Sequence, residues 1–265
     1  MLIAAFEGWN DAGDAASSAV RWFHDRWEAE PFADIDPEEF FDFTSTRPMV
    51  RIEDEGRVVD WPENAFSAGT LPGSGRDVVL LRGVEPQLRW RTFCEHVLGV
   101  AETVGASMIV TLGALLAEVP HSRPVNVAGA AYDPDVVDRL GLARSTYEGP
   151  TGIVGVLHTH CRALDLRSAS LWATVPTYVP GSPSPKATLA LVEKTAALLD
   201  VGVITTDLEI AAASYERQIN ELVEDDDETQ AYVAALEERH DEAMESGDPG
   251  SLIDEVERFL RDQER

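Results

Sequence analysis

The sequence is poor in cysteine, in positive charge and in long apolar runs. Its 265 residues include two cysteines, Cys94 and Cys161, far apart and outside any CxxC motif. This spacing excludes a disulfide scaffold and is typical of a reducing compartment. No apolar run approaches the roughly 18–20 residues that a membrane span needs. The first residues have no basic segment and no cleavage site, so we predict no signal peptide. These shortages predict a cytoplasmic protein without a membrane partner.

Positive charge is scarce, with 21 Lys and Arg against 48 Asp and Glu and a formal net charge of −27. A chain of this charge repels phosphate backbones, so we predict no nucleic-acid partner. The acidic residues are concentrated at the C-terminal end, where residues 201–265 contain 20 acidic and 5 basic side chains. Two interpretations stay open for this segment: a solvated helical face, which is the more frequent case, or a docking surface for a basic partner.

Hydrophobic periodicity predicts an α/β protein. Apolar, strand-like runs at 2–6, 77–82, 107–112, 153–157 and 170–175 alternate with amphipathic, helix-like segments. This alternation predicts a three-layer α/β/α fold, in which helices cover both faces of a mostly parallel central sheet. Further expectations are a hairpin at 48–53 and 57–61, a strand at 40–44, a loop over 62–76 and a helical turn at 114–119. We expect two units: a core domain at 1–200 and an acidic helical extension at 201–265, packed on or beside it.

Several polar residues fall where open α/β sheets place ligands. Glu7, Asn10 and Asp11 follow the first strand and lead into a helix. At this position backbone N–H groups can hold an anion, and the carboxylates can act as acid or base. The loop has neither a GxGxxG nor a GxxxxGK[ST] spacing, and its carboxylates oppose a phosphate. A structural turn, with Asp11 or Asp14 capping the helix, is the more frequent outcome for such a loop.

Two arginines share a local pattern, because Arg47 and Arg123 each precede a proline that starts a strand. They are expected either as structural ion-pair clamps or as ligand-binding cations. Together with Glu7, Asn10, Asp11 and Glu148 they make up the candidate ligand-binding set. We predict no catalytic residue, no metal site and no cofactor, since no GxSxG or HExxH motif occurs.

The segment His158-Thr159-His160-Cys161 contains the other reactive side chains, and we expect it to follow a strand. A metal site at the two imidazoles lacks a designated third ligand. A catalytic Cys–His pair is the other functional hypothesis, and packing or solvation is the more frequent fate of such residues. Cys94 falls within the apolar spacing of a helix and is expected in the core.

Five strings occur together and in order: FEGWNDAG at 6–13, LGALLAEVPHSRP at 112–124, YEGPTGI at 147–153, SLW at 170–172 and PSPKATL at 183–189. This combination resembles the actinobacterial branch of the proteasome assembly chaperone 2 family, over almost the whole chain. The resemblance implies a fold similar to that of purine nucleoside phosphorylases and related hydrolases. It also implies a homo-oligomer, a trimer among the options, and proteasome subunits or another protein as partners.

The leading hypothesis from sequence is a non-enzymatic, self-associating protein with an assembly-chaperone-like role. The alternative is a small-molecule binder, or a hydrolase- or phosphorylase-type enzyme, with a polar cleft at the carboxyl ends of the strands. The two hypotheses differ in whether the six candidate residues converge on one cleft.

Overall fold

The computed structural model describes residues 1–53, 56–144 and 148–246. The strands are β1 Leu2–Glu7, β2 Glu30–Asp34, β3 Met49–Glu53, β4 Gly56–Asp60, β5 Asn64–Thr70, β6 Asp77–Val84, β7 Met108–Ala117, β8 Val127–Ala131, β9 Ala143–Arg144 and β10 Arg167–Pro176. The helices are α1 Ala15–Arg26, α2 Trp90–Thr103, α3 Pro134–Leu140, α4 Ile153–Ala163, α5 Pro185–Leu199, α6 Thr206–Glu224 and α7 Asp227–Ser246. Short 3-10 helices lie at Ala12–Asp14 and Pro37–Glu39.

Eight strands form the central sheet, in the order β2-β5-β6-β1-β7-β10-β8-β9. The four central strands, β6, β1, β7 and β10, are mutually parallel, and β5 and β8 join them antiparallel on either side. Strands β1 and β7 are almost completely buried, as expected for parallel strands covered on both faces. At one edge, β2 carries Pro31 and a register shift between Pro31 and Ala33.

Two apolar layers lie on opposite faces of this sheet. One contains buried residues of α1, α3 and α5, including Phe23, Val136 and Leu191. The other contains buried residues of α2 and α4, including Phe93 and Leu157. Helix α2 buries Phe93, Cys94, Val97, Leu98 and Ala101, one stripe at helical spacing. Because each face of the sheet is covered by its own helices, the predicted three-layer α/β/α architecture is confirmed.

The C-terminal helices α6 and α7 lie outside these layers. Helix α6 packs against α5, and it buries Tyr215, Ile219 and Val223 in a small separate cluster with Val179 and Val233. Val179 comes from the loop after β10, and Val233 from α7. The acidic helices therefore bury only a narrow apolar stripe and leave most of their charged side chains exposed. The sequence also predicts a final helix with a cap at Ser251, and this segment lies outside the described residues.

Some local predictions are wrong. Residues 40–44 form turns rather than a strand, with Phe40 and Phe41 buried in the α2/α4 layer. The composition predicts a connection over 30–39 and a loop over 62–76, but β2 and β5 form in these stretches. Pairing with neighbouring strands outweighs their Pro- and Gly-rich composition. Strand β7 runs through Gly113 to Ala117, where a helical turn was expected.

The run at 153–157 is a helix, not a strand. Helix α4 buries Ile153, Val154, Leu157, His158 and Cys161, which repeat at helical spacing only when the whole segment is counted. A five-residue apolar run fits either structure, so the local pattern was ambiguous. The hairpin prediction is confirmed as β3–β4, a two-stranded sheet separate from the central one. Its predicted turn includes residues 54 and 55, which lie outside the described residues.

Over the described part of the chain, none of the helices has the length and apolar character to cross a membrane.

Candidate functional site

The carboxyl ends of the four parallel strands define one rim of the sheet, and we call the loops that follow them the rim loops. They span residues 8–14 after β1, 85–89 after β6, 118–126 after β7 and 177–184 after β10. This rim is where α/β sheets of this kind bind ligands. Backbone hydrogen bonds hold the first of these loops in place: Ala114 N of β7 donates to Asn10 O at 2.8 Å, and Ser184 N of the loop after β10 donates to Gly13 O at 2.7 Å.

Glu85 joins three parts of the rim. Its Oε1 accepts hydrogen bonds from the side-chain amide of Asn10 at 2.9 Å and from the backbone N–H of Ile153, at the start of α4, also at 2.9 Å. Asn10 is 1% exposed. Gly152 is required beside them, since a Cβ there would lie 2.7 Å from Glu85 Oε1. The carboxylate of Glu85 thus occupies the positive end of α4, where a free helix would attract an anion.

Asp11 caps α1. Its Oδ1 accepts from Ala16 N at 2.7 Å and Ser17 N at 3.2 Å. Burial raises the pKa of this carboxyl to about 6, although the hydrogen bonds from Ser17 and Ala16 act in the opposite direction. Its Oδ2 is buried and has no hydrogen-bond partner within the described residues. Of the two predicted caps, Asp11 makes these bonds and the Asp14 side chain makes no cap bond.

The loop after β7 is fastened to α7. Arg123 forms a two-pronged ion pair with Asp241, with Nε–Oδ1 and Nη2–Oδ2 distances of 2.8 and 2.7 Å. Its Nη1 lies 3.4 Å from Glu237 Oε1, and the neighbouring hydroxyl of Ser122 donates to the same carboxylate. The clamp role proposed for Arg123 from sequence therefore matches its observed contacts, which are with the chain's own acidic helix.

His121 is the centre of a second connection between this loop and α6. Its backbone N–H donates to Tyr178 Oη at 2.7 Å, while Nδ1 lies 2.7 Å from the same oxygen and Nε2 lies 2.9 Å from Asn220 Oδ1. Because Asn220 Oδ1 can only accept, Nε2 carries the hydrogen of this pair, and in the neutral ring Nδ1 then accepts from the Tyr178 hydroxyl. Lys186 Nζ donates to the His121 carbonyl and pairs with Glu216 of α6.

The six candidate residues are therefore placed as follows. Glu7, Asn10 and Asp11 share one stretch, in which Glu7 lies 3.5 Å from Arg82. Arg123 is engaged by α7, while Arg47 and Glu148 are exposed on separate loops. Sequence reasoning missed Glu85 and His121. Glu85 follows a buried strand just as Glu7 does, so the rule that selected Glu7 applies equally to Glu85.

The His158–Cys161 segment belongs to the core. His158 is buried, its Nε2 lies 2.8 Å from Thr111 Oγ1 on β7, and burial lowers its pKa to about 4. Cys161 is buried, and burial raises the pKa of its thiol to about 11. Among residues 1–53, 56–144 and 148–246, no group of three or more His, Cys, Asp or Glu is positioned to hold a metal ion.

Comparison with known proteins identifies the family of this chain. The PAC2 family model matches residues 5–223. The chain belongs to the PAC2 family. This confirms the family predicted from the five sequence strings. The search of curated proteins gave no significant match.

Two solved PAC2-like structures from actinobacteria are similar over most of the chain. A PAC2 family protein from Streptomyces avermitilis is 43% identical with a TM-score of 0.83, covering 88% of this chain and 98% of its own. A Mycobacterium tuberculosis protein described as a proteasome-assembly chaperone homologue is 45% identical with a TM-score of 0.80, covering 88% and 99%. A Pyrococcus furiosus archaeal proteasome activator is 17% identical with a TM-score of 0.68, covering 83% and 92%, and shows the shared fold alone.

Proposed function

We propose that this protein is a non-enzymatic, homo-oligomeric assembly-chaperone-like protein whose partners are proteasome subunits. The observation that carries the proposal is the 45% identity, over 88% of the chain, to the mycobacterial protein described as a proteasome-assembly chaperone homologue. Membership of the PAC2 family supports the same role. We place the protein in the cytoplasm, in keeping with two buried, unpaired cysteines.

The chemistry of the rim supports a binding role. The polar side chains that a rim site would use already bind other parts of the chain. Glu85 binds Asn10 and the start of α4, Asp11 caps α1, and Arg123 pairs with α7. Helices α6 and α7 are fastened to the loop after β7, and they present acidic surface to solvent. We propose that residues 1–200 form the core unit and residues 201–265 the acidic extension.

The test is reconstitution of a proteasome from separately purified actinobacterial α and β subunits, with and without this protein. We expect faster or more complete assembly on native gels, and co-elution of the chain with free subunits or part-assembled particles. Serum albumin, another acidic protein, controls for nonspecific crowding and charge. Unchanged assembly together with no co-elution at low salt contradicts the proposal.

Binding of a small polar ligand at the rim is the second candidate, favoured by one observation: the buried Oδ2 of Asp11 has no hydrogen-bond partner within the described residues. The test is a thermal-shift screen with nucleosides, phosphate and short peptides. A ligand that raises the melting temperature of the wild type but not of Asp11→Asn supports this candidate. No shift with any of them removes it.

A further inference from the structure

His121 is buried beneath the C-terminal helices, and every polar atom of its ring and backbone has a partner. Its Nε2 donates to Asn220 Oδ1 of α6, and its Nδ1 accepts from the hydroxyl of Tyr178, in the loop after β10. The same hydroxyl oxygen accepts from the His121 backbone N–H, and the His121 carbonyl accepts from Lys186 Nζ of α5. Only 3% of His121 is exposed. The neutral imidazole therefore fits this position with all of its hydrogen bonds made.

A protonated imidazole does not fit the same contacts. Histidine is the side chain that ordinarily changes charge between about pH 5 and pH 8, and here the added proton goes to Nδ1. Three hydrogens then meet at the Tyr178 oxygen: the hydroxyl's own, the backbone N–H of His121 and the new Nδ1–H. Burial raises the pKa of Tyr178 to about 12, so the hydroxyl keeps its proton over this range. The hydroxyl must turn away from Nδ1 and loses its acceptor.

The charges around His121 do not offset this loss. Lys186 holds a positive charge on the His121 carbonyl, and its partner is Glu216 of α6. The acidic groups of α7 that approach this loop, Glu237 and Asp241, already pair with Arg123. Counting every element packed here, the titratable and charged groups are Glu118, Arg123, Tyr178, Lys186, Tyr215, Glu216, Tyr232, Glu237 and Asp241. The nearby carboxylates thus already have cationic partners.

The segment that His121 holds is attached mainly through polar contacts. We call residues 216–246, the second half of α6 together with α7, the C-terminal arm. Its main apolar contact is the small cluster that contains Ile219, Val223 and Val233. Its other contacts go to one rim loop, through Glu118, His121, Ser122 and Arg123. Segments with few buried apolar contacts open locally at low free energy, so one altered contact changes how often the arm opens.

We infer that His121 is a proton-operated latch: proton uptake at Nδ1 loosens the C-terminal arm from the loop after β7, and loss of that proton fastens it again. The arm is fastened while the ring is neutral and loosens as the pH falls from about 7.5 to about 5.5. Loosening uncovers Tyr178, Tyr215 and the apolar side chains packed beside them. The latch thus links acidity to the exposure of an apolar surface next to the rim.

The first test is amide hydrogen exchange of the full chain at about pH 7.5 and about pH 5.5, at constant ionic strength and corrected for the intrinsic rates. We expect exchange in the arm to be about fivefold faster at the lower pH, the effect of losing one net hydrogen bond. His121→Gln keeps a donor and an acceptor but takes up no proton, so its arm should exchange equally at both values.

His240→Gln is the matched control, because it removes the other histidine of the arm and should keep the wild-type response. Equal exchange of the wild-type arm at both pH values overturns the latch. So does an unchanged response in His121→Gln, or equal acceleration in β1 and β7, which would indicate a global effect.

The second test reverses the response. Asn220→Asp gives the charged ring an anionic partner on α6, so protonation should now strengthen the contact. The arm of this variant should exchange no faster at about pH 5.5 than at about pH 7.5. Acceleration equal to that of the wild type contradicts the latch.

Nitrogen-15 spectra of the wild-type imidazoles follow the proton directly. We expect His121 to carry its hydrogen on Nε2 at the higher pH and to become charged in step with faster exchange in the arm. A ring that stays neutral while the arm loosens, or that becomes charged while the arm stays protected, overturns the inference.

Discussion

Gly113 on β7 lies directly opposite Trp172 on β10, and the indole ring covers the position where a side chain at 113 would stand. A Cβ at Gly113 would be 2.6 Å from Trp172 Cε3. We therefore expect Gly113→Ala to lower the free energy of unfolding by about 1–3 kcal/mol, the usual cost of overpacking. Chemical denaturation measures the change. The control is Gly99→Ala on the exposed side of α2, where a Cβ meets nothing within 4 Å; it should stabilise by about 1 kcal/mol. Equal effects would contradict this account of Gly113.

Glu85→Ala removes the acceptor shared by Asn10 and Ile153, leaving a buried amide without its partner. We expect a loss of about 1–3 kcal/mol in the free energy of unfolding. Glu85→Gln retains an acceptor oxygen and should lose less. Denaturation of both variants in parallel gives the comparison. If alanine and glutamine cost the same, the bonds to Asn10 and Ile153 do not stabilise the fold.

Asp11 should make stability depend on pH. Its pKa is raised to about 6 from 3.8, so the folded state binds the proton more tightly than the unfolded chain. The wild type should therefore lose about 3 kcal/mol relative to Asp11→Asn as the pH rises from 3 to 7, since each tenfold difference in proton affinity between the two states corresponds to about 1.4 kcal/mol. Asparagine keeps the oxygen that caps α1. If the free energies of unfolding of the wild type and Asp11→Asn change in parallel with pH, the pKa of Asp11 is not raised by folding and the prediction is wrong.

His158 should have the opposite pH dependence. Burial lowers its pKa to about 4 from 6.5, so the unfolded chain takes up a proton first as the pH falls. Relative to His158→Gln, the wild type should lose about 3 kcal/mol between pH 6.5 and pH 4. The slope has the reverse sign of that for Asp11, so the two variants serve as controls for each other. A pH-independent difference between wild type and His158→Gln would show that His158 titrates normally.

Asn220→Ala removes the acceptor of the His121 ring and should loosen α6. We expect a cost of about 1 kcal/mol, typical of one hydrogen bond, and faster amide exchange in α6 with the central strands unchanged. Glu221→Ala, on the adjacent exposed position, is the control and should leave exchange unaltered. Acceleration throughout the protein would instead indicate global destabilisation.

The sequence predicted the layers of this fold better than its edges. Strand β1 and the first half of β7 are continuous, buried apolar segments, so their type is readable from composition alone. Strands β2 and β5 form because they pair with strands distant in the sequence. The apolar run at 153–157 is compatible with both the helical and the strand periodicity, so its type could not be predicted. Family resemblance was readable because its five strings are specific in combination.

The candidate site shows a similar division. The sequence could place Glu7, Asn10 and Asp11 at the rim because all three come at the end of one predicted strand. It could also predict the capping role of Asp11, because acidic side chains often cap helices. The contacts of Glu85 and His121 required knowledge of which loops meet, since each joins residues more than 50 positions apart. A contact between side chains so far apart in the chain leaves no local pattern in the sequence.

Pro31 on β2 has a consequence for contacts between chains at the edge of the sheet. Proline offers no N–H, and the register shift beside it distorts the outermost ribbon of the large sheet, so another chain finds no regular ladder to extend there. Sideways stacking into fibres is thereby blocked at this border.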